Sequence, residues 1–296
     1  MFRCFAGPSG TSSTNNYRSL SDAHDSRLEA LPAGRRNGQV IQVSTTTFDR
    51  MVLAHKILLR TAHETFPDGP GNQEANVWMS GGRSWMRKEM CRTRVDEHAS
   101  QDQQIKGIKE TGGGNCGEYA TTVFAELQRT QRTQRNTPVL KVLESYAHSL
   151  VIVGDWRDHN TGDHAIVVDP WQGLKKVHTY GERSVTATPL VTATALEGAP
   201  ERSGKLKAAF ALKPAAREEV DAVIRAKTGS SSSGPWFARS VIRENKAVMF
   251  DQVAGTQNLH TVYRDPSGRE SAFNSLPSSY LESYLDARDA IVKNYA

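Results

Sequence analysis

The chain runs to 296 residues with a formal net charge of +5 and only three cysteines, long enough for one large domain or two modest ones without covalent staples. Its longest apolar runs, 150–153 and 165–168, fall far short of the roughly 20 residues of a membrane helix, and Cys4, Cys91 and Cys116 are too few and too scattered for a disulfide framework or a four-cysteine zinc site. The mild basic excess favours acidic partners at long range but is no argument for nucleic acid.

Residues 1–40 are rich in Ser, Thr, Asn, Gly and Arg and show neither helical nor strand periodicity, so they are expected to form a leader without a packed core. The leader lacks the apolar segment of roughly 7 to 15 residues that a secretory signal needs. From Phe48 to Phe66 apolar residues recur at helical spacing behind a cap at Thr46 or Thr47. PDGPGNQ, 67–73, is a turn by its chemistry, and a second helix is expected from Ser84 to Glu97. The cluster 81–94 carries Arg83, Arg87, Lys88, Arg92 and Arg94 against the single acid Glu89. It is a solvated face or a docking surface for an acidic partner.

The segment GGGNCGEYATTVFAEL, 112–127, drives a glycine-rich loop into a cysteine and then into an apolar pattern of helical period. A helix starting at Cys116 buries Tyr119, Ala120, Val123, Phe124 and Leu127 on one face. Its N-terminus favours negative charge and offers unpaired N–H groups to an oxyanion, while the glycines 112–114 allow close approach of backbone and substrate. Read alone, Cys116 would be a small buried hydrophobe, the usual fate of a free cysteine.

Strands are expected at 139–145, 148–154 and 164–169, short runs of Val, Ile and Leu between turn residues. If the last two form a hairpin with Val153 opposite His164, His148 falls opposite Asp169 on the same face, where a carboxylate can hold an imidazole. A one-residue slip would destroy that pairing. His164, five residues before Asp169, points to the other face, and His159 lies in a polar loop. Beyond Trp171, 185–196 and 205–213 are each expected as strands and 214–227 as a helix opened by Pro214. TGSSSSGP, 228–235, is a linker or loop. Residues 277–293 close the chain as a helix with Leu281, Tyr284, Leu285, Ile291 and Val292 on one side.

Gly114-x-Cys116, Tyr119-Ala120, His148 and Asp169-Pro170 together resemble the Cys-His-Asp core of papain-like and transglutaminase-like proteins. With the Ser-rich leader and the DPW ending, they look like the bacterial cysteine protease or deamidase effectors that type III secretion delivers into the host cytosol. The resemblance covers 112–173. It implies an α+β fold in which a central helix packs on a small antiparallel sheet, with 41–296 as the catalytic domain and 235–296 as a possible C-terminal subdomain. It also implies a monomeric thiol hydrolase acting on an amide of a host protein through Cys116, His148 and Asp169, without cofactor or metal. Glu110 stands where papain-type enzymes have their oxyanion glutamine, which leaves Gln103, Gln104 and Asn115 as candidates for that role. Two alternatives stay open: a transglutaminase-like acyltransferase, and a non-catalytic binder of host proteins on the same fold.

Overall fold

The computed structural model describes residues 17–19, 36–96, 99–130, 137–144, 148–171, 176–182, 190–196, 204–229, 233–246, 258 and 260–295. Two short strands open it, β1 (Tyr17–Ser19) and β2 (Val40–Gln42). Helix α1 (Thr45–Arg60) follows. Its cap is Ser44, whose Oγ accepts from the Thr47 N–H at 3.0 Å, rather than Thr46 or Thr47. After a π turn, Thr61–Thr65, and the expected Pro-Gly turn, three helices come in succession: α2 (Glu74–Met79), α3 (Arg83–Arg94) and α4 (Gln101–Thr111). Then comes α5 (Cys116–Thr130), which starts at the cysteine as its pattern indicates.

The sheet is built from β3 (Val139–Glu144), β4 (Ser149–Val153), β5 (Ile166–Val168), β6 (Val177–Thr179) and β7 (Leu190–Leu196), in the antiparallel order β6-β5-β4-β3-β7. Its central strand β4 is buried along its whole length, because both faces are covered. Val139, Val151, Val153, Ile166 and Val168 pack against Phe48, Met51 and Leu58 of α1 and Val123, Phe124 and Leu127 of α5. On the opposite face Leu140, Val142, Leu150, Ile152 and Val167 form a second layer. The described molecule is therefore α+β, with α5 packed on an antiparallel sheet.

Downstream lie α6 (Gly204–Phe210), α7 (Arg217–Thr228), α8 (Pro235–Glu244), β8 (Val262–Arg264), β9 (Glu270–Ser271), β10 (Ser275–Pro277) and α9 (Ser278–Tyr295). The strand expected at 205–213 is a helix: Leu206 and Ala209, three apart, are its buried face, and the alanines favour helix where the Lys-Leu-Lys alternation suggested strand. Pro214 lies just outside α7, whose N-cap is Ala216. Pro235, placed in the expected linker, begins α8. The strand β2 pairs in parallel with β8, and β1 pairs with β10. Most of the leader and residues 230–232 lie outside the described residues, so the expectations about them do too.

Candidate active site

The loop before Cys116 is held by its own glycines. Gly112 caps α4 in the left-handed region at φ 68°, donating its N–H to Ile108 O. A Cβ on Gly113 would lie 2.1 Å from the carbonyl carbon of Arg87. Only glycine fits there, where the loop closes onto the backbone of α3. Asn115 caps α5: its carbonyl accepts from the Tyr119 N–H at 3.0 Å, and its own N–H donates to Glu118 Oε2 at 2.7 Å. Cys116 is thus the first residue of a fifteen-residue helix, where the leading N–H groups have no intrahelical acceptor.

His148 stands immediately before β4 and Asp169 immediately after β5. The register differs from the expected one by two residues: Val153 faces Ile166, not His164. A two-residue shift keeps each side chain on its face, whereas one residue would have reversed it. His148 Nε2 accordingly still meets Asp169 Oδ2, at 2.7 Å, and Asp169 is only 3 % exposed. The shift also brings the Trp171 ring against the imidazole, with centroids 4.7 Å apart. Asp169 is fixed in turn, since its Oδ1 accepts from the Trp171 N–H at 3.2 Å.

With Nε2 committed to Asp169, the second ring nitrogen, Nδ1, is buried and has no nitrogen or oxygen partner among the described residues. It is the nitrogen left to the Cys116 thiol, with which the imidazole also interacts. Burial opposes the charged ring, but the Asp169 carboxylate, through its charge and its hydrogen bond, and Cys116 together outweigh it and raise the His148 pKa to about 10. The pair can hold a proton between thiol and ring and pass it on.

The three expected oxyanion candidates are placed differently. Gln103 is spent on the capping box of α4, accepting from the Ser100 N–H at 2.9 Å. Gln104 donates to Ala99 O at 2.9 Å and lines a cavity beside α5. Asn115 is adjacent to Cys116. With its amide turned as its partners require, it accepts from Arg92 Nη2 at 2.8 Å and donates to Asn72 Oδ1 at 3.0 Å.

Asn72 and Gln73 were not singled out in the sequence. The Gly71 N–H donates to Gly114 O at 3.1 Å, which ties the Pro-Gly turn to the cysteine loop. Asn72 Oδ1 accepts from Trp171 Nε1 at 2.9 Å, and Gln73 Nε2 donates to Trp171 O. Two amides thereby clamp the tryptophan that covers His148. Their signal was a pair of amide side chains inside a turn, where solvent exposure is the ordinary expectation.

Cys91 is buried, and burial pushes its thiol up to about 11, which leaves Cys116 as the half-buried and more accessible cysteine of the two described. The basic docking surface is corrected. Arg87 is 1 % exposed and Lys88 3 %; the Arg87 guanidinium donates to Asp68 Oδ2 at 2.6 Å and to the carbonyls of Thr111 and Ala215. Arg83 is paired with Asp221 at 2.9 Å, so only Arg92 of these four keeps half its side chain exposed. His159 lies on an exposed turn, and His164, expected in a strand, is the exposed last residue of a 3-10 turn, Gly162–His164, before β5. No helix among the described residues is long and apolar enough to cross a membrane. Compared with protein families, curated proteins and solved structures, the chain matches none.

Proposed function

We propose that the protein is a thiol hydrolase acting on an amide of a protein substrate, with Cys116 as nucleophile, His148 as general base and acid, and Asp169 as the orienter of the imidazole. The observation that carries this reading is the His148 ring, held at Nε2 by a buried carboxylate 2.7 Å away and left with Nδ1 for a cysteine at a helix start.

The ring, its pKa raised to about 10, holds at Nδ1 the proton given up by the Cys116 thiol; Cys116 Sγ attacks the carbonyl carbon, and a tetrahedral oxyanion forms. The N–H groups at the start of α5 offer it charge-assisted hydrogen bonds. Asn72, whose Oδ1 is pinned by Trp171 Nε1, has an amide NH2 with no protein acceptor among the described residues and is the side-chain donor of this reading. The imidazolium returns its proton to the leaving nitrogen, the C–N bond breaks, and a thioester remains on Cys116. Water, deprotonated by the same ring, attacks the thioester and releases the carboxylic acid and the free thiol. The Trp171 ring shields the His148–Asp169 pair from water, which strengthens their interaction.

The resemblance of 112–173 to type III effectors makes host proteins the substrate class and host cytosol the place of action in this reading. Incubating the protein with lysate proteins or a sensitive target, followed by intact-mass analysis, tests the chemistry. Fragments identify a peptidase, a gain of about 1 Da at glutamine a deamidase. An amine adduct would replace hydrolysis by acyl transfer. Equal product formation by Cys116→Ala would remove the proposal.

A further inference from the structure

Beside the first turn of α5 lies a cavity of about 440 Å³, lined among others by Arg92, Gln104, Gly117, Glu118, Thr121 and Lys141. Gly117, the residue after the nucleophile, opens onto it, and a Cβ added there would meet nothing within 4 Å. The cavity therefore begins one residue from Cys116 and has room for a substrate side chain.

Its charged groups differ in what they already hold. Glu118 is committed, with Oε2 accepting from the Asn115 N–H at 2.7 Å and Oε1 lying 3.9 Å from Arg92 Nε. Asp96, also on the wall, has contacts of its own. Lys141 reaches in from β3 and is half-buried; its ammonium donates to the neutral Thr121 Oγ1 at 2.8 Å, and it has no ion-pair partner among the described residues. Burial lowers its pKa, with Glu118 and Cys116 acting only at a distance. An ammonium taken from water and given one hydroxyl is under-satisfied, since it has three donors to place. A carboxylate entering the cavity completes it by a charge-assisted bond, and Arg92 at the rim, half-exposed, adds a second positive charge.

We propose that this cavity is the subsite that takes an acidic side chain of the substrate, next to the amide that Cys116 attacks, with Lys141 as its charge partner and specificity determinant. The inference rests on the hydrolase reading for the word substrate, and on the cavity alone for the binding of a carboxylate. It narrows the substrate class to protein segments carrying Asp or Glu beside the target amide. Lys141 is a specificity residue and takes no part in the proton transfers.

The test uses the full chain and peptidyl chloromethyl ketones in isosteric pairs, Glu against Gln and Asp against Asn, with the rate of Cys116 alkylation read by intact mass. The acidic member should react about tenfold faster or more, the worth of one partly desolvated charge pair. Lys141→Gln, which keeps a donor for Thr121, should abolish that preference once each rate is divided by the same protein's rate with neutral iodoacetamide, and Lys141→Arg should restore it. Equal rates within each pair, or a preference that survives Lys141→Gln, would overturn the subsite and leave the hydrolase reading standing. The same peptides without the ketone, added to Cys116→Ala, give a readout independent of cysteine chemistry. A Gly117 amide shift for the Glu peptide, absent for the Gln peptide and absent in Cys116→Ala/Lys141→Gln, supports the subsite even if Cys116 proves inert; no shift with either peptide counts against it.

Discussion

Asp169→Asn isolates the charge that organises the site. Asparagine has the same shape and its Oδ1 can still accept from His148 Nε2, so the 2.7 Å contact loses its charge and keeps its geometry. The rise of the ring from 6.5 to about 10 is worth at most about 5 kcal/mol, at about 1.4 kcal/mol for each tenfold change in proton affinity. Burial is the largest single influence on the ring and acts downward, with Asp169 the main group opposing it. Without that charge His148 should titrate at or below the ordinary histidine value. Because folding raises the pKa, the folded state binds the proton more tightly than the unfolded chain. The stabilisation is complete below about pH 6.5 and is lost as the pH rises to about 10. Urea unfolding should therefore show wild type ahead of Asp169→Asn by a few kcal/mol at pH 6, at most about 5, and a gap that closes towards pH 10. The ring itself is followed by NMR of labelled histidine, and Cys116 by its rate of alkylation. A His148 ring that still titrates above about pH 9 in Asp169→Asn would refute the assignment of the shift to this carboxylate.

Asn72→Ala should lower the turnover of any amide substrate by about 100-fold with little change in KM, as loss of one oxyanion donor does, and differential scanning will show whether the fold survives. Trp171→Phe keeps an aromatic ring over His148 but deletes the bond to Asn72 Oδ1; it should cost about 1 kcal/mol in stability and a proportionately larger share of activity, seen by comparing urea midpoints with turnover. Arg87→Met strands Asp68 and two carbonyls in the interior and should destabilise by about 3 to 5 kcal/mol, measured by urea unfolding. If Arg87→Met instead folds like wild type and loses only partner binding, the docking surface returns and the buried network is wrong.

His148 and Asp169 were legible because the antiparallel register tolerates an error of two residues. The strand pattern alone suggests Val153 opposite His164, the structure has Val153 opposite Ile166, and the pair survives because side chains alternate with period two. Cys116 was legible because an apolar helical period begins directly behind it. Arg87 and Lys88 were not, since a charge-rich helix face reads as solvated. The burial of Arg87 depends on Asp68, Thr111 and Ala215, groups that approach from three other segments. Asn72 is illegible for a related reason. It lies 44 residues before Cys116, and only the Gly71–Gly114 bond and the Trp171 indole bring it to the cysteine.

The same clamp explains what the C-terminal helix contributes to a site far from it in sequence. Tyr280, in the first turn of α9, donates its hydroxyl to Asn76 Oδ1 at 3.2 Å; Asn76 Nδ2 donates to Gln73 Oε1 at 2.7 Å, and Gln73 Nε2 donates to Trp171 O. The Trp171 N–H then reaches Asp169 Oδ1. Each amide in this chain is buried, where an unmatched donor or acceptor costs about 1 to 3 kcal/mol, so the members hold one another in a single arrangement. Leu281, Tyr284 and Leu285 of α9 bury themselves on Ala75 of α2, the helix that carries Asn76. The aspartate that fixes the imidazole is therefore braced by α2 and, through it, by the last helix of the chain. Of residues 235–296, α9 thus reaches the candidate site through α2, while β8 pairs with β2 elsewhere in the fold.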